Sequence, residues 1–323
     1  MRTCSLYLTI IAQMTFLCSG CKVNTHNGII SAIPRSTSEA YCVAEHAGLS
    51  EAAARNHVSI YWNGPRGGDD SEQQIVLVER AIEQKSMGIV LTPNAPFALD
   101  TVIRRALSHD VPVVILGPSI SLPPDPKLSF ALNNAQHSGQ LAAERMREIV
   151  GDEGEIAIVG VDPMSPGSKD LADTFEASLS HLAPGIHVAS KLVGSFTSGQ
   201  AELETEKMIE DYPRITAIYA VSVTATRGAA AAIRSSQREG KIRIVGSDQT
   251  LDLLFLLRRG AIDSLVIEDM RGMGMQAVQN IVATRQGRSV QATTYYEPVL
   301  LDRKNIDKEA NQQMLKMDWR PRE

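Results

Sequence analysis

Cysteine is scarce in this chain: four residues in 323, two of which, Cys4 and Cys18, fall within the first twenty positions. The other two, Cys21 and Cys42, cannot build a disulfide framework. No Cys/His cluster has metal-ligand spacing, so a metal site is not expected. No apolar run reaches the roughly twenty residues that a membrane-spanning helix requires. Positive charge is not in excess either. The net charge is -5, or -6 once Arg2 is removed with the leader, which excludes nucleic-acid binding by bulk charge. Enzyme signatures are missing as well. The segment Ile33-Pro34-Arg35-Ser36-Thr37-Ser38, where a dinucleotide fingerprint would begin, has no glycine, and Gly272-Met273-Gly274-Met275 lacks a third one. There is no Gly-x-Ser-x-Gly elbow and no phosphate loop ending in Gly-Lys-Ser/Thr. His57, His137 and His187 have no obvious catalytic partners. Neither an enzyme nor a cofactor is expected.

What is present begins with a leader. Met1-Arg2 supplies one positive charge, and Cys4 to Leu17 is uncharged and mostly apolar or small. About fourteen such residues suit a secretory signal over positions 1-20 and not a membrane span. Leu17-Cys18-Ser19-Gly20-Cys21 resembles a lipobox, which implies cleavage before Cys21 and lipid attachment there. The match departs at Cys18, which stands where the pattern places a bulky residue. Soluble secretion after nearby cleavage and an uncleaved anchor are the alternatives.

The mature chain, with 43% hydrophobic and 21% charged residues overall, has globular composition. At about 300 residues it is long for a single core. Short β-branched runs alternate with amphipathic stretches. The expected strands are 29–34, 57–62, 88–91, 112–116, 128–132, 155–161, 187–193, 217–221, 242–246, 264–268 and 297–301. Between them, Glu72–Gln84 places Ile75, Val78, Ala81 and Ile82 on one helical face. Comparable patterns occupy 141–150, 169–182, 200–211 and 226–239. Strands separated by helices imply parallel sheet with right-handed crossovers. The expected fold is α/β, with two doubly wound parallel-sheet lobes joined by a hinge. In such sheets ligands bind beyond the carboxyl ends of the strands. The loops there are polar but hold no nucleophile–base–orienter set.

Several segments, in order, resemble the sugar-type periplasmic binding proteins of the ribose-binding class. These are Glu72 to Ile82, Gly88-Ile89-Val90-Leu91-Thr92-Pro93, His109-Asp110-Val111-Pro112-Val113-Val114, Asn133-Asn134 through Glu144, Ile244-Val245-Gly246-Ser247-Asp248, and Met273-Gly274. The resemblance spans about Asn27 to Ile306. It implies lobes of residues 27-132 plus 269-297 and 133-268 plus 298-307, followed by a tail of 308-323. That tail either docks on a lobe or trails free.

The resemblance also implies the ligand contacts. Asp248 stands where the family has an aspartate that accepts hydroxyl hydrogens; the alternative is that it caps the helix near Leu251. Glu268 replaces a glutamine, and an ionised carboxylate can only accept. The alternative for Glu268 is a pair with Lys169 or Arg271. Lys169 replaces an arginine, giving a point charge in place of a fork. Phe196 and Tyr41 match aromatic positions that pack against sugar rings. Arg35, Glu39, Asn63, Ser119, Asn134 and Ser222 complete the expected binding set at the strand ends. The chain departs from ribose and galactose binders at Gly117-Pro118-Ser119 and at Ser222-Val223-Thr224, where charged sugar contacts are lost.

The expected function is that of an extracytoplasmic solute-binding protein of an ABC importer, monomeric and lipid-anchored. It would close on a small, sugar-like polar ligand and hand it to a membrane permease. The alternative is a ligand-sensing subunit for a membrane kinase or chemoreceptor. Lactose-repressor-type regulators use the same fold, but they carry a DNA-binding module where this chain carries its leader, so no nucleic-acid partner is expected.

Overall fold

The computed structural model describes residues 28–37, 41–66, 70–163, 166–194 and 197–316. The leader with Cys21, Glu39, Phe196 and residues 317–323 lie outside the described residues, and of Tyr41 only the backbone is described.

Two six-stranded sheets form the frame. The first contains β1 (Ile29–Ile33), β2 (Ser59–Trp62), β3 (Gly88–Leu91), β4 (Val113–Gly117), β5 (Leu128–Asn133) and β11 (Thr293–Tyr296). Its order is β11-β5-β4-β3-β1-β2, with every pair parallel. The second contains β6 (Glu153–Val161), β7 (Gly185–Val193), β8 (Ile215–Ala220), β9 (Arg243–Ser247), β10 (Ser264–Ile267) and β12 (Val299–Asp302). Its order is β12-β10-β9-β8-β6-β7, and only the β10–β12 pair is antiparallel.

β3 and β4 are apolar throughout because both of their faces are covered. In β3, Ile89 and Leu91 pack under α2 (Ser71–Glu83) and α3 (Asp100–Ser108), while Val90 faces α1 (Tyr41–Arg55) and α9 (Met270–Arg285). Val113/Ile115 and Val114/Leu116 of β4 divide in the same way, following the two-residue period of a strand. In the second lobe, α4 (Ala135–Val150) and α5 (Pro166–Leu182) cover one face. α6 (Ser198–Asp211), α7 (Val223–Ser235) and α8 (Leu251–Arg259) cover the other.

Two expectations need correction. The strand placed at 297–301 is β12, at Val299–Asp302, and the preceding β11 was not anticipated. The sequence of β11, Thr-Thr-Tyr-Tyr, is half exposed at a sheet edge. It therefore carries the β propensity of threonine and tyrosine without an apolar run. The described part of the tail, residues 308–316, docks on the second lobe. α10 (Glu309–Met314) is tied back by Asn311 Nδ2 to Asn305 O at 2.9 Å and Gln312 Nε2 to Ile306 O at 2.7 Å. Leu315 joins the second-lobe core.

α1 and α9 cross at very short range. A Cβ on Gly48 would stand 2.0 Å from the Arg271 carbonyl oxygen, and one on Gly274 would stand 2.6 Å from that of Glu45. The clashing atoms are backbone, so only helix displacement relieves them. Gly48→Ala is expected to destabilise the fold by about 3 kcal/mol, the upper range for overpacking. Chemical denaturation checks this, and an unchanged midpoint would refute the close crossing.

The chain passes between the sheets three times: from β5 to α4, from β10 to α9, and from β11 to β12. These crossings run side by side at the carboxyl ends of the parallel strands.

Candidate functional site

The three crossings are stitched together by side chains. Asn133, the last residue of β5, donates its Nδ2 hydrogen to Glu268 Oε2, just beyond β10. Asn134 Nδ2 donates to both carboxylate oxygens of Glu297 at 3.1 and 3.2 Å, and His137 Nδ1 meets Glu297 as well. The Tyr296 hydroxyl donates to Gly272 O at 3.2 Å, joining the third crossing to the second. The first turns of the adjoining helices are fixed by caps: Asn134 Oδ1 accepts from His137 N at 3.1 Å, and Asp269 Oδ1 from Gly272 N at 2.8 Å.

Asn134, expected as a ligand contact, thus has its amide engaged at both ends as cap and clasp. Neither of the alternatives weighed above holds. Thr250, not Asp248, caps α8, accepting from Leu253 N at 3.3 Å. Glu268 pairs with neither Lys169 nor Arg271, because Lys169 is bound to Asp173 one turn along α5 and Arg271 to Glu51.

Asp248 leaves β9 in a left-handed conformation, φ +66°, with its backbone N–H held by Val266 O at 2.9 Å. Aspartate tolerates this region better than most residues. Its charge is close enough to act on Glu268. Burial first, and then the Asp248 charge, push the Glu268 carboxyl up to about 8, against the pull of the Asn133 hydrogen bond. This corrects the expectation of a pure acceptor. Near pH 7 Glu268 is mainly protonated and offers one donor and one acceptor, the same pattern as the glutamine it replaces.

The remaining expected residues lie at strand ends of both lobes. Arg35 follows β1 and is half-buried; Asn63 follows β2, its Nδ2 donating to the Tyr61 hydroxyl at 3.1 Å. The loops after these strands are joined by Thr37 N to Pro65 O at 2.8 Å and Ser36 Oγ to Arg66 O at 2.8 Å. Ser119 is exposed after β4. Ser222 caps α7, accepting from Ala225 N at 3.2 Å. Lys169 is exposed and held by Asp173, which raises its pKa, so here it does not reach the Asp248–Glu268 pair. Trp62 stacks on His46 at 4.5 Å and packs against the first-lobe core.

Four positions were missed. Gln74, fully buried, donates to Pro34 O at 3.0 Å and Thr92 O at 2.9 Å and accepts from Asn94 N at 3.0 Å, which fixes the ends of β1 and β3. Both side-chain polar atoms of Asn94 are buried without a hydrogen-bond partner, as are those of Gln249, directly after Asp248. Such atoms are costly unless something satisfies them. Their only sequence signal was position at a strand end. Glu45, fully buried in α1, accepts from the Thr92 hydroxyl at 3.0 Å, and burial pushes its carboxyl up to about 8. Among the described residues no cluster could hold a metal ion, and no helix is long and apolar enough to cross a membrane. The strand ends present mainly hydrogen-bonding side chains.

Comparison with known proteins identifies the family and the fold. Residues 30–289 match the family model described as a periplasmic binding protein domain. The chain is 24% identical over 218 residues to the D-ribose/D-allose-binding protein of Pseudomonas aeruginosa, covering 62% of this chain and 63% of that protein, somewhat under two thirds of its length. It is 23% identical over 262 residues to an ABC transporter periplasmic-binding protein of Escherichia coli, covering 79% and 76% of the two chains. A carbohydrate transporter solute-binding protein of Agrobacterium radiobacter, solved with D-arabinose, superposes with a TM-score of 0.81 at 21% identity, covering 90% of this chain and 99% of that one. With the match covering well over half of the chain and taking in the first two crossings, the chain belongs to the periplasmic binding protein family.

Proposed function

We propose that this protein is the extracytoplasmic solute-binding component of an ABC importer and closes its two lobes on a sugar. The observation that carries the reading is the Asp248–Glu268 pair, set at the crossings where the polar strand ends of both lobes converge. Hydroxyl hydrogens would be taken by Asp248, and Glu268 in its protonated form would both give and receive. Asn63 and Asn94 would contribute from the first lobe, with Arg35 beside them. Ligand stabilises the closed state because only there do contacts from both lobes reach it together. Of the relatives named above, one is a D-ribose/D-allose-binding protein and another was solved with D-arabinose. In this chain Gly117-Pro118-Ser119 and Ser222-Val223-Thr224 supply no charged contact, so a sugar other than ribose is favoured. A thermal-shift screen of pentoses, hexoses, polyols and amino-sugars tests the reading. A saturable rise in melting temperature with a monosaccharide supports it, and no rise across the panel refutes it.

We further propose that the leader is removed and that Cys21 carries lipid, holding a monomer at the membrane beside its permease. Cys21→Ala is expected to move the protein from the membrane fraction to the soluble one. Continued membrane retention would mean that an uncleaved leader is the anchor.

A further inference from the structure

A broad concavity lies at the end of the second lobe opposite the proposed sugar site. It encloses about 1010 Å³ between the C-terminal halves of α7 and α8, the start of β9 and the turn after β12. Ile242 and Asp263, in its wall, lie just before β9 and just before β10. These are the amino ends of parallel strands, opposite the ends that carry Asp248 and Glu268.

Its charge is one-sided. Six arginines and one lysine line it, against three carboxylates, in a chain whose overall net charge is -5. Two of those carboxylates are already committed to the wall. Asp263 holds Arg145 at 2.7 Å and Arg243 at 3.7 Å, and Asp302 accepts the backbone N–H groups of Lys304 and Asn305 at 2.8 and 2.9 Å. By contrast Arg234, Arg259, Arg303 and Lys304 form no ion pair among the described residues. Arg259 instead sits 5.6 Å above the ring of Phe255, which is 56% exposed. Arg234 and Arg259 also lie at helix C-termini, where cations offset the backbone dipole. Arg303 and Lys304 belong to no helix, and that explanation does not reach them. The bias toward arginine matters too, since the guanidinium fork suits the paired oxygens of phosphate.

We infer that this groove is a second binding site, for anions carrying several phosphate groups, separate from the interlobe cleft. The occupant is recognised by its phosphates, whether free in solution or displayed by lipid headgroups. The exposed Phe255 ring lies within reach of an apolar portion next to them. The site needs no ligand in the cleft, and the sugar reading stands or falls without it.

The test uses the full chain and two probes. Tripolyphosphate is titrated calorimetrically at low and at physiological salt, and sedimentation compares phosphatidylglycerol with phosphatidylcholine vesicles, so that any anchor contributes equally to both. The double variant Arg234→Glu/Arg303→Glu is run alongside, with melting temperature as the folding control. If it does not fold, Arg303→Gln/Lys304→Gln on the exposed turn replaces it. Saturable tripolyphosphate binding that weakens with salt and falls about tenfold or more in the variant supports a free phosphate ligand. A preference for phosphatidylglycerol that the variant loses, without tripolyphosphate binding, supports a lipid headgroup. If neither probe binds the wild type, or if whatever binding is seen is as strong in the variant as in the wild type, the inference is overturned.

Discussion

Glu45→Gln is expected to raise the melting temperature by several degrees at pH 9 and to leave it almost unchanged at pH 5. Glu45 is 0% exposed, its Oε2 has no hydrogen-bond partner, and its carboxyl is pushed from 4.5 up to about 8 by burial. The folded state therefore holds a proton that the unfolded chain releases near pH 4.5. Stability from this group is complete below about pH 4.5, declines as pH rises, and is gone above about 8. Over the whole interval the loss is on the order of a few kcal/mol. Glutamine keeps the acceptor for the Thr92 hydroxyl but cannot ionise, so the variant lacks that slope. Melting curves from pH 5 to 9 check it. Parallel curves for the two proteins would mean that Glu45 titrates normally and is not enclosed as described.

The second large effect concerns binding. Asp248→Asn should reduce the affinity for the ligand by roughly tenfold to a hundredfold, the scale of losing hydrogen bonds to a charged acceptor. Asparagine is the better probe than alanine because it tolerates the left-handed backbone at φ +66°, so the ligand-free protein keeps its stability. A second readout separates ligand contact from mere support. With the Asp248 charge gone, one of the two causes raising the Glu268 carboxyl is removed, and its pKa falls. In the wild type, affinity should decline as pH rises through about 8, where Glu268 loses its donor; Glu268→Gln should bind without that decline. Unchanged affinity in Asp248→Asn would remove Asp248 from the site.

The sequence allowed some of this to be read directly. β3 and β4 are continuous apolar runs because they are covered on both faces, and such strands advertise themselves. β11 does not, since an edge strand needs only its backbone ladder and one packed side. The position of Asp248 at the end of a strand was legible, but Thr250 two residues later was equally suited to cap α8, and only backbone geometry separates the roles. Asn134 and Glu297 stand 163 positions apart, as do the ends of their hydrogen bond, and no local pattern announces such a pair. The protonation of Glu268 is similarly a product of three distant segments, those of Asn133, Asp248 and Glu268 itself. Lys169 illustrates the opposite case: a short-range i, i+4 partner, Asp173, was in plain view in the sequence and takes the charge that had been expected in the cleft.

The central claim is that a sugar binds between the lobes and closes them. Small-angle X-ray scattering tests it most directly, on the protein alone and saturated with whichever monosaccharide raises the melting temperature most. A smaller radius of gyration with ligand, absent in Asp248→Asn at the same concentration, is the expected result. A ligand that raises the melting temperature while leaving the wild-type radius of gyration unchanged would contradict closure around an interlobe site.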